Sequence, residues 1–537
     1  KIKIKLKLIK FLKIIYKLYY IYKIMEDQRV APPQVNYDNV LPLAIESRSN
    51  RREFLPVNGA TFSNATGATI CRIDVNADSM LDATHSYLEC DIQNNGGATN
   101  FLALNNFSPS WIQRLRIESG GVVIEDINEY SRLYSMLTLA QTPKDYVKNN
   151  LATLGLYKEH TSANLTGAVA SVVDLASNGG ATAVDNAQST PSVDELCYGM
   201  SAGCKLSGVN GFEANGTPTG ADILTPSAEG LAGAHSFARL ANGASRKMCI
   251  PLVSGFLNMS KYIPLIMMNA GFTIELTLCD SNRIGITQTE VADTAQGAFV
   301  DSAWTISGVK YVAHLIDLDR SFYDRLRMVM DDAGGVLQLA GQTYRHFSGL
   351  FTGNGATQIT IALPARVKSV KSIFGTFIVA GQMGVAGNYD TSVFQRCGLT
   401  SFRFEIGSVR YPQTDVSCNG NDGQAQREAE LDKAFGKIGD FQHQKAYSAK
   451  HTTNDAGART GESFNTSCLS AFIVGYDFEA FNRVMLEQGI DTSSRSLPIN
   501  FIGNINGNAG ADVRADFYVL CDAIFYINLD GTASVSV

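Results

Sequence analysis

Along most of the chain, apolar and polar residues alternate in short runs broken by Gly-, Asn- or Pro-bearing turns, which predicts β-strands. Strand patterns start at Cys71–Val75 and Ser86–Gln93, and the clearest hairpin is Arg114–Ile127, with Ser119-Gly120-Gly121 at its tip. Glycine there accepts the positive φ of a tight turn without steric cost. The period changes over 129–140, which predicts a helix with Tyr130, Leu133, Met136 and Leu137 on one face. Strand patterns return at 249–257, 262–279 and 306–319, and a helix-like segment covers 320–330. After Asp331-Asp332-Ala333-Gly334-Gly335, which reads as a domain boundary, strands recur at 343–351, 358–379 and 401–412. A helix is expected at 424–437, then strands at 470–478, 496–505 and 514–530.

Two segments break this pattern. Residues 161–235 are rich in Ala, Gly, Ser, Thr and Asn, with a single Lys (Lys205), and read as long loops inserted into a scaffold. Residues 1–24 contain eight Lys, the rest being Ile, Leu, Phe and Tyr, all residue types that codons of A and T alone can encode. This points to an upstream region read in frame, with translation starting at Met25. The rival readings are a strand with one cationic and one apolar face, or a basic arm on a membrane or on packaged nucleic acid. Lys interrupts each apolar run well short of the ~20 residues a spanning helix needs. Residues 25–60 read as a polar N-terminal arm.

The halves also repeat. Arg114-Leu-Arg-Ile-Glu-Ser119 parallels Arg403-Phe-Glu-Ile-Gly-Ser408, and a helix follows each. Lys261–Leu265 then parallels Arg495–Ile499, and Leu315–Asp319 parallels Tyr526–Asp530. Four markers in one order indicate two β-sandwiches of the same topology, over residues 61–332 and 333–537. With 537 residues, the chain is too long for a single core.

Composition narrows the function. The net charge is −6, and without the eight Lys of residues 1–24 it is 37 basic against 51 acidic residues, or −14. An acidic body argues against broad phosphate contact through the surface. The ten cysteines are scattered without a CxxC pair, so free buried thiols made in a reducing compartment are expected.

Two catalytic motifs are missing: there is no GxxxxGK[ST] and no HExxH. The seven His are isolated in sequence, and His314 and His346 lie in strand-like runs, where a structural role is expected. Asp74-x-Asn76-x-Asp78 opens like a calcium loop but has Ser79 and His85 where Gly and Glu belong, so a turn between strands is the better reading. Asp317, Asp319 and Asp324, interleaved with Arg320 and Arg325, suggest a solvated ion-pair network. No catalytic, cofactor-binding or metal residue is assigned.

Taken in order, RLRIESGGVVIEDI with its following helix, the run at 249–280, SFRFEIGSVRYP and GIDTSSRSLPINF with a final strand resemble double jelly-roll major capsid proteins. The resemblance is to those of polinton-like viruses and virophages, and more distantly of nucleocytoplasmic large DNA viruses. It implies an all-β chain of two tandem eight-stranded jelly-roll sandwiches with short helices and long loop insertions. It also implies a homotrimer with hexagonal outline in an icosahedral shell around double-stranded DNA, located in the virion and assembled in the host cytoplasm or nucleus. Expected partners are other copies of the chain, penton and minor capsid proteins, and an internal membrane or the genome through the N-terminal arm. No cofactor, small-molecule substrate or enzymatic activity is implied. The alternatives are a cell-surface or carbohydrate-binding β-sandwich protein, which would call for paired cysteines or an aromatic platform, and a cupin-like enzyme, which would call for clustered His and carboxylates.

Overall fold

The computed structural model describes residues 46–142, 239–289, 299–436, 472–480 and 488–537, less a few short breaks. The expectations for residues 1–24, for most of the 25–60 arm and for the 161–235 insertion lie outside the described residues.

The first half forms strands β1 (Ser47–Phe54), β2 (Thr61–Phe62), β3 (Ile70–Val75), β4 (Met80–Asn94), β5 (Asn100–Leu104), β6 (Ile112–Ser119) and β7 (Val122–Asn128), then helix α1 (Tyr130–Gln141). After it come β8 (Arg239–Leu240), β9 (Ser245–Ile250), β10 (Ile263–Pro264), β11 (Phe272–Leu278), β12 (Gly285–Thr289), β13 (Phe299–Val300), β14 (Trp304–Leu318) and helix α2 (Arg320–Asp332). The second half has β15 (Val336–Asn354), β16 (Gln358–Leu363), β17 (Val370–Val379), β18 (Leu399–Ile406), β19 (Val409–Ser417) and helix α3 (Gly420–Phe435). It ends with β20 (Ile473–Asp477), β21 (Ile499–Ile505), β22 (Asn508–Asn528) and β23 (Ala533–Ser536).

Pairing reveals the repeat. In the first half one sheet runs β1-β14-β4-β10 and its partner β3-β11-β6-β7; in the second half the sheets are β15-β22-β17-β20 and β16-β21-β18-β19. Numbering the eight principal strands of each half in chain order, both halves read 1-8-3-6 in one sheet and 2-7-4-5 in the other. That interleaving is the jelly roll, in which two Greek keys close over one core. The repeat extends to side chains. Arg114 on β6 donates to Asp126 on β7 at 2.7 Å, and Arg403 on β18 donates to Asp415 on β19 at 3.1 Å, with the same separation along the chain.

Each hairpin turns as its glycines require. Gly120 and Gly121, both at positive φ, link Ser119 to its cross-strand partner Val122, while Gly407 does the same between Ile406 and Val409. The alternation read from sequence becomes burial: β3 and β16 bury every second side chain.

Several elements depart from expectation. Residues 47–54, read as arm, form β1 at the edge of the first sheet. The strand expected over 249–257 ends at Ile250, since Pro251 has no N–H for a ladder. A further sheet, β13-β12-β5-β8, was not foreseen, because its strands are short and lie in connections. Asp317, Arg320, Asp324 and Arg325 form no ion pair with one another. Instead Asp319 accepts from the Ser321 N–H at 3.1 Å and caps α2. Asp74 closes β3 and accepts from Thr273 on β11 at 2.7 Å. The seven cysteines among the described residues are free, and burial pushes the Cys71, Cys418 and Cys521 thiols up to about 12.

The second core is aromatic. Phe377, Phe402, Phe404 and Phe517 surround Phe501, whose ring lies 4.7 Å from that of Phe517 and 5.5 Å, edge-on, from that of Phe404. Phe501→Ala should cost about 3–5 kcal/mol through lost burial and the cavity left behind, read as a lower urea midpoint with little change in slope.

Candidate functional site: a charged seam between the two sandwiches

The described residues from Arg48 onward belong to one compact unit, and the interface within it starts from strand periodicity. On β22, Val513, Ala515, Phe517, Val519 and Cys521 point into the second core, whereas Arg514, Asp516 and Tyr518 point to the opposite face. On β17, Ile373, Phe377 and Val379 face the core, while Phe374 and Thr376 face away. That outer face is covered by the first half and by helix α3, whose Phe435 ring lies 5.0 Å from that of Phe374, so β17 is buried along its whole length. Ile373–Val379 is accordingly apolar apart from Thr376, as expected of a strand buried on both faces.

Helix α1 is part of that cover. Its residues 130–140 are all buried, not only the expected face, because the helix is held between its own sandwich and the second one. Two of its hydroxyls tolerate burial by bonding back one turn: Ser135 to the Ser131 carbonyl and Thr138 to the Tyr134 carbonyl, each at 2.8 Å.

The charges concentrate where α1 begins. Glu129 sits at φ 51°, ψ 43°, a left-handed conformation that costs a non-glycine residue on the order of 1–2 kcal/mol. This bend aims its carboxylate at two guanidinium groups, Arg283 at 2.6 Å and Arg514 at 2.9 Å, while the Tyr518 hydroxyl donates to its carbonyl at 2.8 Å. One turn later Arg132 donates to Thr376 Oγ1 at 2.9 Å and stands 3.4 Å from Asp516, an ion pair without hydrogen-bond alignment. Asp516 also meets His346 Nε2 at 2.9 Å and the Arg514 Nε at 3.0 Å. Glu129, Arg132 and Arg283 come from the first half; His346, Thr376, Arg514, Asp516 and Tyr518 come from the second.

Burial by itself would raise both carboxyls. For Asp516 the nearby Arg132, the His346 hydrogen bond and Arg514 outweigh it and hold the group well below the usual carboxylate range. For Glu129, Arg283 and Arg514 likewise outweigh burial and the repulsion of Asp516, and lower it. A second contact lies beside the first. Buried Glu125 on β7 accepts from Gly255 N at 3.0 Å, Phe256 N at 3.4 Å, the Ser254 hydroxyl, and Thr343 Oγ1 of the second half at 2.7 Å. No cation is among these partners, and burial pushes Glu125 up despite the four donors.

Close approach needs glycine at this seam. A Cβ on Gly255 would lie 1.4 Å from the Gln342 carbonyl oxygen across it. Beside it, Phe256 packs edge-on against Phe525 of the second half at 5.3 Å. The segment 251–257 therefore serves the seam as a compact turn, not as a strand.

The residues singled out in the sequence are distributed differently. His346 is in the seam; His314 is not, but β4–β14 pairing sets it beside His85, with ring centres 6.0 Å apart. Asp74, Asn76 and Asp78 stay in the β3–β4 turn region. Sequence reading missed Glu129, Arg132, Arg283, Arg514 and Asp516; the only signal was charge inside an apolar run, as in Arg514-Ala-Asp516. Among the described residues no group of three or more His, Cys, Asp or Glu side chains is arranged to hold a metal ion. The seam's chemistry is mechanical: it sets one placement of two sandwiches.

Two substitutions test this. Gly255→Ala should cost about 3 kcal/mol or more, since a carbonyl must move to admit the methyl, seen as a lower unfolding temperature. Asp516→Asn leaves buried Arg132 and half-buried Arg514 without that carboxylate and should cost about 3–5 kcal/mol at neutral pH. Because Asp516 is depressed in the fold, its stabilisation is present above about pH 4, the unfolded carboxylate range, and is lost as pH falls through its folded value. Denaturant titrations of wild type and variant should therefore converge on acidification.

No protein-family model matches the chain, and no curated protein matches it in sequence. Among solved structures, the chain is similar to a quasi-atomic model of the PBCV-1 virus capsid at 9% identity and TM-score 0.50, covering 93% of this chain and 99% of that one. It is also similar to the Sputnik virophage structure and to the mavirus major capsid protein, each at 10% identity, with TM-scores of 0.47 and 0.46. Those matches cover 95% of this chain and 92% and 95% of theirs. The strand order of both halves, together with this chain-long likeness to the PBCV-1 capsid, makes the chain a double jelly roll.

Proposed function

We propose that this protein is the major capsid protein of a double-stranded DNA virus, a structural protein without enzymatic activity. The observation that carries the reading is the pair of sandwiches with identical strand order, locked by a buried charged seam inside one chain. Three such chains about a three-fold axis present six similar sandwiches, so a trimer acquires nearly six-fold edges and can tile a surface. A rigid seam matters for tiling, because small errors in the angle between sandwiches would accumulate across a closed shell. The PBCV-1, Sputnik and mavirus structures support the reading as shared architecture.

In this proposal the capsomer is a homotrimer, and capsomers assemble into an icosahedral shell in the virion. Penton and minor capsid proteins complete the shell. The N-terminal arm reaches the genome or an internal membrane. Interfaces between copies would bury on the order of 2,000–5,000 Å².

The test uses protein that starts at Met25, with light scattering and electron microscopy of the same chromatographic peak. A mass three times that of the chain with hexagonal particles is the expected result. Particles without two sandwiches per chain, or a stable monomer that stays monomeric when minor capsid proteins are added, would end the capsomer reading.

A further inference from the structure

The pairing of β4 with β14 is interrupted at one place, and the interruption builds a site. Tyr87 pairs with Val312 and Asp82 with His314, so residues 83–86 of β4 bulge out opposite the single residue Ala313. Bulges of this kind re-aim side chains. This one is held by its own polar groups. The Asp82 carboxylate accepts from Thr84 Oγ1 at 2.7 Å and from His85 N at 3.4 Å, and Ser86 Oγ donates to the Asp82 carbonyl at 2.7 Å. On the other strand, the His314 N–H donates to Ser86 Oγ at 3.0 Å.

The bulge lifts His85 out of the sheet, leaving its side chain 74% exposed, while Asp82 beneath it is buried. His85 Nδ1 lies 2.7 Å from Asp82 Oδ2. An ionised carboxylate can only accept, so that nitrogen carries the proton and Nε2 presents its lone pair to solvent. This is the arrangement in which a carboxylate orients a metal-binding histidine from behind. The second imidazole is in place: the His85 and His314 ring centres are 6.0 Å apart at 52°. Two imidazoles bound to one ion at ~2.1 Å per nitrogen have centres about 5–6 Å apart.

We propose that His85 and His314 form a binding site for a divalent transition-metal ion of the zinc, nickel and copper class. Asp82 acts as a positioning residue for His85 and not as a third ligand, and water fills the remaining coordination positions. Two neutral imidazoles select this class over calcium or magnesium, which take oxygen ligands. The proposal goes beyond the capsid reading and does not depend on it.

The test is calorimetric titration of the untagged full chain with zinc or nickel chloride alone, with calcium chloride as control. One zinc or nickel ion per chain is expected, with no comparable calcium heat. His85→Gln and His314→Gln should each weaken binding at least about 10-fold, and Asp82→Asn about 10–100-fold. His85 is exposed, so His85→Gln leaves the fold intact and separates this site from buried thiols. Absence of zinc and nickel binding at millimolar concentration, or binding unchanged in His85→Gln, would overturn the proposal.

Discussion

The structure depends on one constraint: charges taken out of water must find partners, and both carboxylates of the seam take one of theirs from across it. Glu129 is neutralised by Arg514 from the other half as well as by Arg283, and Asp516 by Arg132. Removing a buried ion from its partner costs several kcal/mol, so sliding one sandwich against the other is penalised at every step. An apolar interface of equal area would hold the halves together but would tolerate many registers. The seam therefore trades some binding strength for one geometry.

Other features follow from it. The left-handed turn at Glu129 is worth its local strain because it delivers a carboxylate to two guanidinium groups. Helix α1 accepts burial on all sides because Ser135 and Thr138 satisfy themselves against its own backbone. Gly255 stands where a carbonyl from the other half leaves no room for a methyl group. Glu125 adds a contact of opposite pH sense. It is pushed up by burial, so its contribution falls as pH rises through its folded value, whereas those of Glu129 and Asp516 fall as pH drops. The interface is thus opposed at both extremes of pH.

The halves repeat in topology but not in environment. The outer face of the second sheet is covered and carries Phe374 and Tyr518, stacked with centres 6.0 Å apart. The corresponding face of the first sheet carries a cross-strand ladder of charge: Lys310 reaches Glu53 and Glu89, and Lys247 reaches Glu89. Such a ladder suits a solvated or polar surface. One duplicated strand order has therefore been given two kinds of surface by changing alternate residues, which leaves both cores intact.

How much of this was legible in the sequence follows from the range of each interaction. Period-2 alternation, the Gly120-Gly121 turn and the marker pair Arg114 and Arg403 are local or repeated signals, and they determined the all-β class, the hairpin and the duplication. The largely apolar run at 514–530 predicted a strand but not what would cover it. Only the tertiary structure decided that Arg514 and Asp516 in that run meet Glu129 and Arg132, that residues 251–257 leave the sheet to bind Glu125, and that His85 stands beside His314. Those pairings join residues far apart in the chain, and their stability comes from excluding water. A single residue's identity carries no record of which distant partner will share its dry environment.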